Sequence, residues 1–253
     1  MTSAFKGFVQ RWVVPFVDPR QLASIAFFPK FFLELKRYRS LAVDESVAWH
    51  DAYPCLSDRV TRTPFDPHYF YQGAWLARRL SFTKPSLHVD VGSSVAMVSV
   101  LSAGVPMVFL DYRPLAVKLS GLQCVAGNAV VLPFPDDSVL SLSSLHVIEH
   151  VGLGRYGDPL DPEGTSRAAV ELQRVLRPSG RLFLSVPVGR ERVCFNAHRV
   201  HAPRTIQSFL PALRLHSFSL VDDAGRFRED APFEAAAHLE YGCGMFEFVK
   251  AHG

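Results

Sequence analysis

The chain has little of what would mark it as fibrous, disordered or membrane-spanning. Of its 253 residues only 4 are cysteine, and no two of them form a CxxC or other metal-ligand pair, so neither a disulfide framework nor a zinc ribbon is expected. No Gly/Ser linker and no repeat of solenoid period divides it. Lys6, Arg11, Asp18, Arg20 and Lys30 interrupt every early apolar run before it reaches the length of a secretory core or a membrane span. Reduced thiols and a cytoplasmic location are the expectation. Charge of one sign is also scarce, at +3 overall.

What is present is 48% hydrophobic and 12% aromatic residues, enough for a sizeable core. The small charge excess has an address. Residues 1–50 hold 7 Lys+Arg against 4 Asp+Glu, whereas residues 51–253 hold 20 of each. Seven of the 20 Phe also fall in the first stretch: Phe5, Phe8, Phe16, Phe27, Phe28, Phe31 and Phe32. Three zones follow: a basic aromatic helical extension over 1–50 with helices broken at Pro15, Pro19 and Pro29, a connector with a helix near 72–80 over 51–85, and an α/β domain over 86–253. Peripheral contact of residues 1–39 with a lipid surface competes with a plainer reading, a helical lid or a homodimer contact whose Lys and Arg stay solvated. The plainer reading is preferred.

From residue 87 short apolar runs alternate with longer polar stretches, the signature of βαβ units around a parallel sheet. The spacing predicts strands at 87–91, 107–110, 122–125, 139–145, 181–186, 215–221 and 244–249. Helices are expected at 95–103 and 165–176, the second capped by Thr165 and stopped by Pro178-Ser179-Gly180. The first strand ends in Asp90-Val91-Gly92-Ser93-Ser94, where a glycine lets backbone approach a ligand at the carboxyl end of the sheet. Twenty-one residues after Asp90, the second strand ends in Asp111, where a ribose diol would lie.

Further motifs follow in a fixed order. They are Gly127-Asn128-Ala129, Leu132-Pro133-Phe134-Pro135-Asp136-Asp137-Ser138, then Leu145-His146-Val147-Ile148-Glu149-His150, and Glu171-Leu172-Gln173-Arg174-Val175-Leu176. Over roughly 85–190 this set resembles the class I S-adenosylmethionine-dependent methyltransferases. The resemblance implies a three-layer, Rossmann-like α/β fold with a mostly parallel seven-stranded sheet, and S-adenosylmethionine as cofactor. By the same resemblance Asp90, Gly92 and Ser93 fall beside the methionine part of the cofactor, Asp111 at the ribose, and Asn128 with Ala129 at the adenine. The family's usual loop glycines are here Ser94 and Ala96, and its adenine-side Asp is Asn128. Phe195-Asn196-Ala197-His198-Arg199-Val200 and Tyr241-Gly242-Cys243-Gly244-Met245-Phe246 look like the domain-of-unknown-function family 268, often associated with surface polysaccharide synthesis.

Methyl transfer to a hydroxyl needs alignment and a base, and both should come from the ends of strands four and five. His146 and His198 are the expected catalytic residues. Glu149 and Arg199 are expected at the substrate, with Glu149 and His150 also readable as a packing pair. The 152–159 run reads as a loop over the acceptor side. The expected acceptor is a small molecule, a sugar or glycan precursor by resemblance; the charge balance of 51–253 disfavours nucleic acid, and no metal is expected. Two alternatives stay open: a non-catalytic protein keeping the fold, and, since His146-x-x-Glu149-His150 fits HxxEH, a zinc peptidase with both His on one helix.

Overall fold

The computed structural model describes residues 19–42, 45–113 and 115–251. Phe5, Phe8 and Phe16, the break at Pro15 and half of the lipid-contact segment lie outside the described residues. The chain divides into two units, residues 1–64 and 65–253. In the first, α1 (Pro19–Ser24) and α2 (Phe28–Leu41) both carry proline in the first turn. There its missing N–H has no helical partner to lose, so Pro19 and Pro29 start helices rather than end them. Phe32 stacks on Trp49 at 5.6 Å, Arg59 pairs with Glu34 at 3.1 Å, and no residue of α2 is buried. Among the described residues no helix is long and apolar enough to cross a membrane.

The second unit opens with α3 (Pro67–Thr83), longer than the 72–80 stretch because Asp66 caps it. The Asp66 carboxylate accepts from the N–H groups of His68 (2.9 Å) and Tyr69 (3.3 Å), and Pro67 follows at the first helical position. Asp66→Ala should cost about 1 kcal/mol in urea unfolding. An unchanged midpoint would show that the cap contributes nothing.

The strands are β1 (His88–Val91), β2 (Met107–Asp111), β3 (Leu122–Ala126), β4 (Val139–Leu145), β5 (Leu176–Val188), β6 (Arg192–Cys194), β7 (His198–Val200), β8 (Leu213–Val221), β9 (Phe227–Arg228) and β10 (Gly242–Lys250). All seven expected strands form. The sheet order is β3-β2-β1-β4-β5-β10-β8-β9, parallel from β3 to β5 and antiparallel beyond, so the expected seven strands gain a two-residue edge. Strands β6 and β7 form a separate hairpin.

Helices cover both faces, which is why the central strands read as continuous apolar runs rather than alternating ones. On one face Trp75, Leu76 and Leu80 of α3 pack with Phe183, Val221, Cys243 and Met245, joined by Met97 and Leu101 of α4 (Val95–Leu101). On the other, Ala168, Ala169, Leu172 and Val175 of α5 (Gly164–Val175) pack with Leu142 and Leu184. A short α6 (Pro203–Ser208) adds Ile206 to that core.

Two local expectations are corrected. Thr165 is not a cap: α5 begins at Gly164, and the Thr165 hydroxyl donates to the Ile148 carbonyl at 2.9 Å. Pro178-Ser179-Gly180 does not separate helix from strand either. The strand starts at Leu176 and bulges there, so that Val139 pairs with Leu176 but Ser141 with Arg181, while Ser179 takes a φ of 62°. The motifs 132–138 and 171–176 prove to be partners. Glu171 accepts the Leu132 N–H at 2.7 Å, and Arg174 donates to the carbonyls of Leu132 (3.1 Å) and Phe134 (3.0 Å).

Candidate active site

Strand order reverses at β1, with β2 on one side and β4 on the other, which opens a crevice at the carboxyl ends of the strands. A cleft with a cavity volume of about 110 Å³ lies there. Gly92, Asp111, Asn128, Ala129, His146 and His150 line it, together with Tyr112, Arg113, Val147, Val151, Tyr156 and Asp158.

Gly92 turns with φ +70°, and a Cβ there would come within 2.9 Å of a Val147 methyl. The glycine thus forms a cradle that no other residue fits. Asp90 does not face the cleft. It is fully buried, accepting the Ser93 N–H at 3.0 Å and the Ser143 hydroxyl, so it holds the loop from inside. Burial pushes its carboxyl up to about 6. Beneath it His88 bonds Ser141 (2.7 Å) and Ser143 (2.8 Å), and burial lowers the imidazole to about 3. Ser93 is likewise turned inward, its hydroxyl accepting the Leu145 N–H at 2.9 Å. Ser94 precedes α4 with no side-chain cap.

Asp111 has one carboxylate oxygen fixed by the Arg113 N–H at 2.7 Å, and among the described residues the other makes no hydrogen bond. Asn128 accepts the Val130 N–H at 3.1 Å through Oδ1, which leaves its amide nitrogen free of that turn. Ala129 is buried beside it.

His146, the residue after β4, takes a left-handed conformation, φ 55°, and its Nδ1 lies 2.8 Å from Glu149 Oε1. Its Nε2 is buried without a hydrogen-bond partner. Burial works against charge on this ring, but Cys243 and Glu149 outweigh it and raise the group to about 10. Glu149 is wholly buried and absent from the cleft wall; burial opposes its charge, and His146 holds it below the usual carboxylate range nonetheless. His150 does line the cleft. Its Nδ1 faces the Ala197 carbonyl, its Nε2 lies 3.7 Å from Glu149, and burial lowers its pKa.

His198 and Arg199 lie on β7 and do not line the cleft, although the His198 ring lies 6.5 Å from that of His150, which does. His198 packs at a tilt against Tyr241, ring centroids 4.9 Å apart, with burial lowering it to about 4. Arg199 donates to the carbonyls of Val151 (2.6 Å), Asp161 (3.0 Å) and Pro162 (3.3 Å) and to Thr165 Oγ1 (3.2 Å). Its fork holds the 151–163 loop. That loop does wall the cleft, through Tyr156 and Asp158, with the Arg113 guanidinium 4.5 Å over the Tyr156 ring. The aromatic wall, and the stacking of His68 and Tyr69 on His146 at 5.4 and 5.7 Å, had no sequence signal beyond residue type. The helix that an HxxEH peptidase needs is not formed: Ile148–His150 is a single 3₁₀ turn, Gly152 at φ +80° follows, and Glu149 sits between the two imidazoles.

Residues 137–223 match the family DUF268, described as a Caenorhabditis protein of unknown function. Solved structures match over most of the chain. The [4+2]-cyclase SpnF does so at 14% identity with a TM-score of 0.53, covering 78% of this chain and 86% of its own. The fold is that of the class I methyltransferases. Two other proteins with this methyltransferase fold are the Bradyrhizobium japonicum N-methyltransferase NodS in complex with S-adenosylhomocysteine (15% identity, TM-score 0.50, 88% and 99% covered) and the Burkholderia thailandensis 1,6-didemethyltoxoflavin-N1-methyltransferase (14%, 0.50, 73% and 79%). No curated protein matches the chain by sequence. SpnF, named as a cyclase, illustrates that a methyltransferase fold alone does not fix the reaction.

Proposed function

We propose that this protein is an S-adenosylmethionine-dependent methyltransferase of the cytoplasm acting on a small-molecule acceptor, with a sugar or glycan-precursor hydroxyl preferred from the family resemblance. The observation that carries the reading is the cleft itself, which the Gly92 cradle, the half-engaged Asp111 carboxylate and the Asn128-Ala129 pair all line. These residues fit the cofactor: Asp111 has an oxygen for a diol, and Asn128 has an amide nitrogen for an adenine edge. When bound, the sulfonium supplies a methyl group already activated for in-line displacement. The chain then need only align an acceptor and receive its proton. His150 takes that part. With the Nδ1 proton directed at the Ala197 carbonyl, Nε2 is the lone-pair nitrogen, and it belongs to a residue of the cleft wall. Tyr156, under Arg113, offers the acceptor an aromatic face.

Isothermal titration with S-adenosylhomocysteine tests the reading. The wild type should bind, and Asp111→Ala should weaken binding about 10- to 100-fold through loss of hydrogen bonds to a charged group. Absence of binding to folded wild type would favour the non-catalytic alternative.

A further inference from the structure

Spacing along the chain offered only the HxxEH pattern as a metal site, but the fold gathers a different cluster from three distant segments. His68 comes from the first turn of α3, His146 from just after β4 and Cys243 from β10. One donor atom of each lies within 4.8 Å of the others. Cys243 is a free, fully buried thiol. His146 is more than nine-tenths buried, and its Nε2 is left without any hydrogen-bond partner while Nδ1 faces Glu149. An orphaned buried nitrogen is costly unless something fills the place. A carboxylate on the far nitrogen of an imidazole is also the arrangement that orients a metal-bound histidine and fixes its tautomer.

We propose that His68, His146 and Cys243 form a binding site for a borderline-soft divalent transition metal, zinc by donor type. Two imidazole nitrogens and one thiolate suit such an ion, whereas magnesium and calcium require oxygen donors. A tetrahedral zinc shell holds its donors roughly 3.5 Å apart, so the three side chains need to close by only about 1 Å. Binding releases the thiol proton and any proton on His146 Nε2 to solvent. Three protein donors leave a fourth position.

The test uses the full chain, stripped of metal and titrated with cobalt(II), whose thiolate complexes show a sulfur-to-metal charge-transfer band in the near ultraviolet and intense visible bands when tetrahedral. One equivalent should produce both. Cys243→Ser should lose the charge-transfer band, and His68→Gln, at a half-buried helix start and so safer for folding, should weaken cobalt affinity at least 10-fold, the lower bound known for supporting residues of metal sites. The wild type should also melt at higher temperature with zinc than without it, and His68→Gln should not. The site is refuted if the stripped wild type gives no tetrahedral spectrum. A band that survives Cys243→Ser refutes it equally, since the thiol would then be Cys55, Cys124 or Cys194. S-adenosylhomocysteine binding reports separately on the cleft, so the two readings fail independently.

Discussion

Arg199→Met should destabilise the protein by roughly 3–5 kcal/mol, because the guanidinium is the hydrogen-bond partner of three inward carbonyls that methionine leaves unsatisfied. Arg199 is 5% exposed, and burial holds its pKa below the usual arginine value, so water does not readily replace it. For a domain of this size such a loss lowers Tm by roughly 10 °C. Arg199→Lys should not rescue, since an ammonium cannot reach the carbonyls of Val151, Asp161 and Pro162 with one rigid fork. The loop would loosen with it, and Gly152 shows how closely it is folded: a Cβ there would lie 2.1 Å from the Asp161 oxygen. Thermal melts decide between this and the role expected from sequence. An arginine that only bound an anionic acceptor would leave Tm unchanged when replaced and would raise KM alone.

Asp90→Asn should become progressively more stable than the wild type as pH rises from about 4 to about 7.5, by about 3 kcal/mol in all. The folded carboxyl titrates at about 6, above its ordinary 3.8, because burial penalises the charge. Between these values the folded chain keeps a proton that the unfolded chain has released. Stability from this group is therefore complete below about pH 4 and lost as pH rises through 6. An amide retains an acceptor for the Ser93 N–H and carries no charge, so the variant lacks this dependence. Urea unfolding of both proteins across the range measures the difference, in which the other titrating groups cancel. A difference independent of pH would mean that the hydrogen bonds from Ser93 and Ser143 cancel the burial penalty, and one of opposite sign that they outweigh it.

Both variants probe places where residue type was legible and orientation was not. Asp90 and Asp111 stand alike in the sequence, each at the end of a strand in an apolar run. The parallel register sets Asp90 beside Ser143 of β4, which draws its carboxylate inward, whereas Asp111, on the outer flank of β1, keeps an oxygen toward the cleft. His146 and His150 are similarly four residues apart and both border the cleft, yet the left-handed turn at His146 buries its ring while that of His150 stays partly exposed.

Sequence by itself determined the α/β class, the seven strands and the positions of Gly92, Asp111 and Asn128, because apolar runs and strand-end residues are local properties of a chain buried on both sides of a sheet. Only the tertiary structure decided what the histidines face. The last strand, β10, inserts antiparallel between β5 and β8, and that placement brings Cys243 to His146 and beneath the start of α3. Such contacts join residues 68, 146 and 243, and no periodicity or spacing records them, since they depend on the order in which strands pair rather than on which segments become strands.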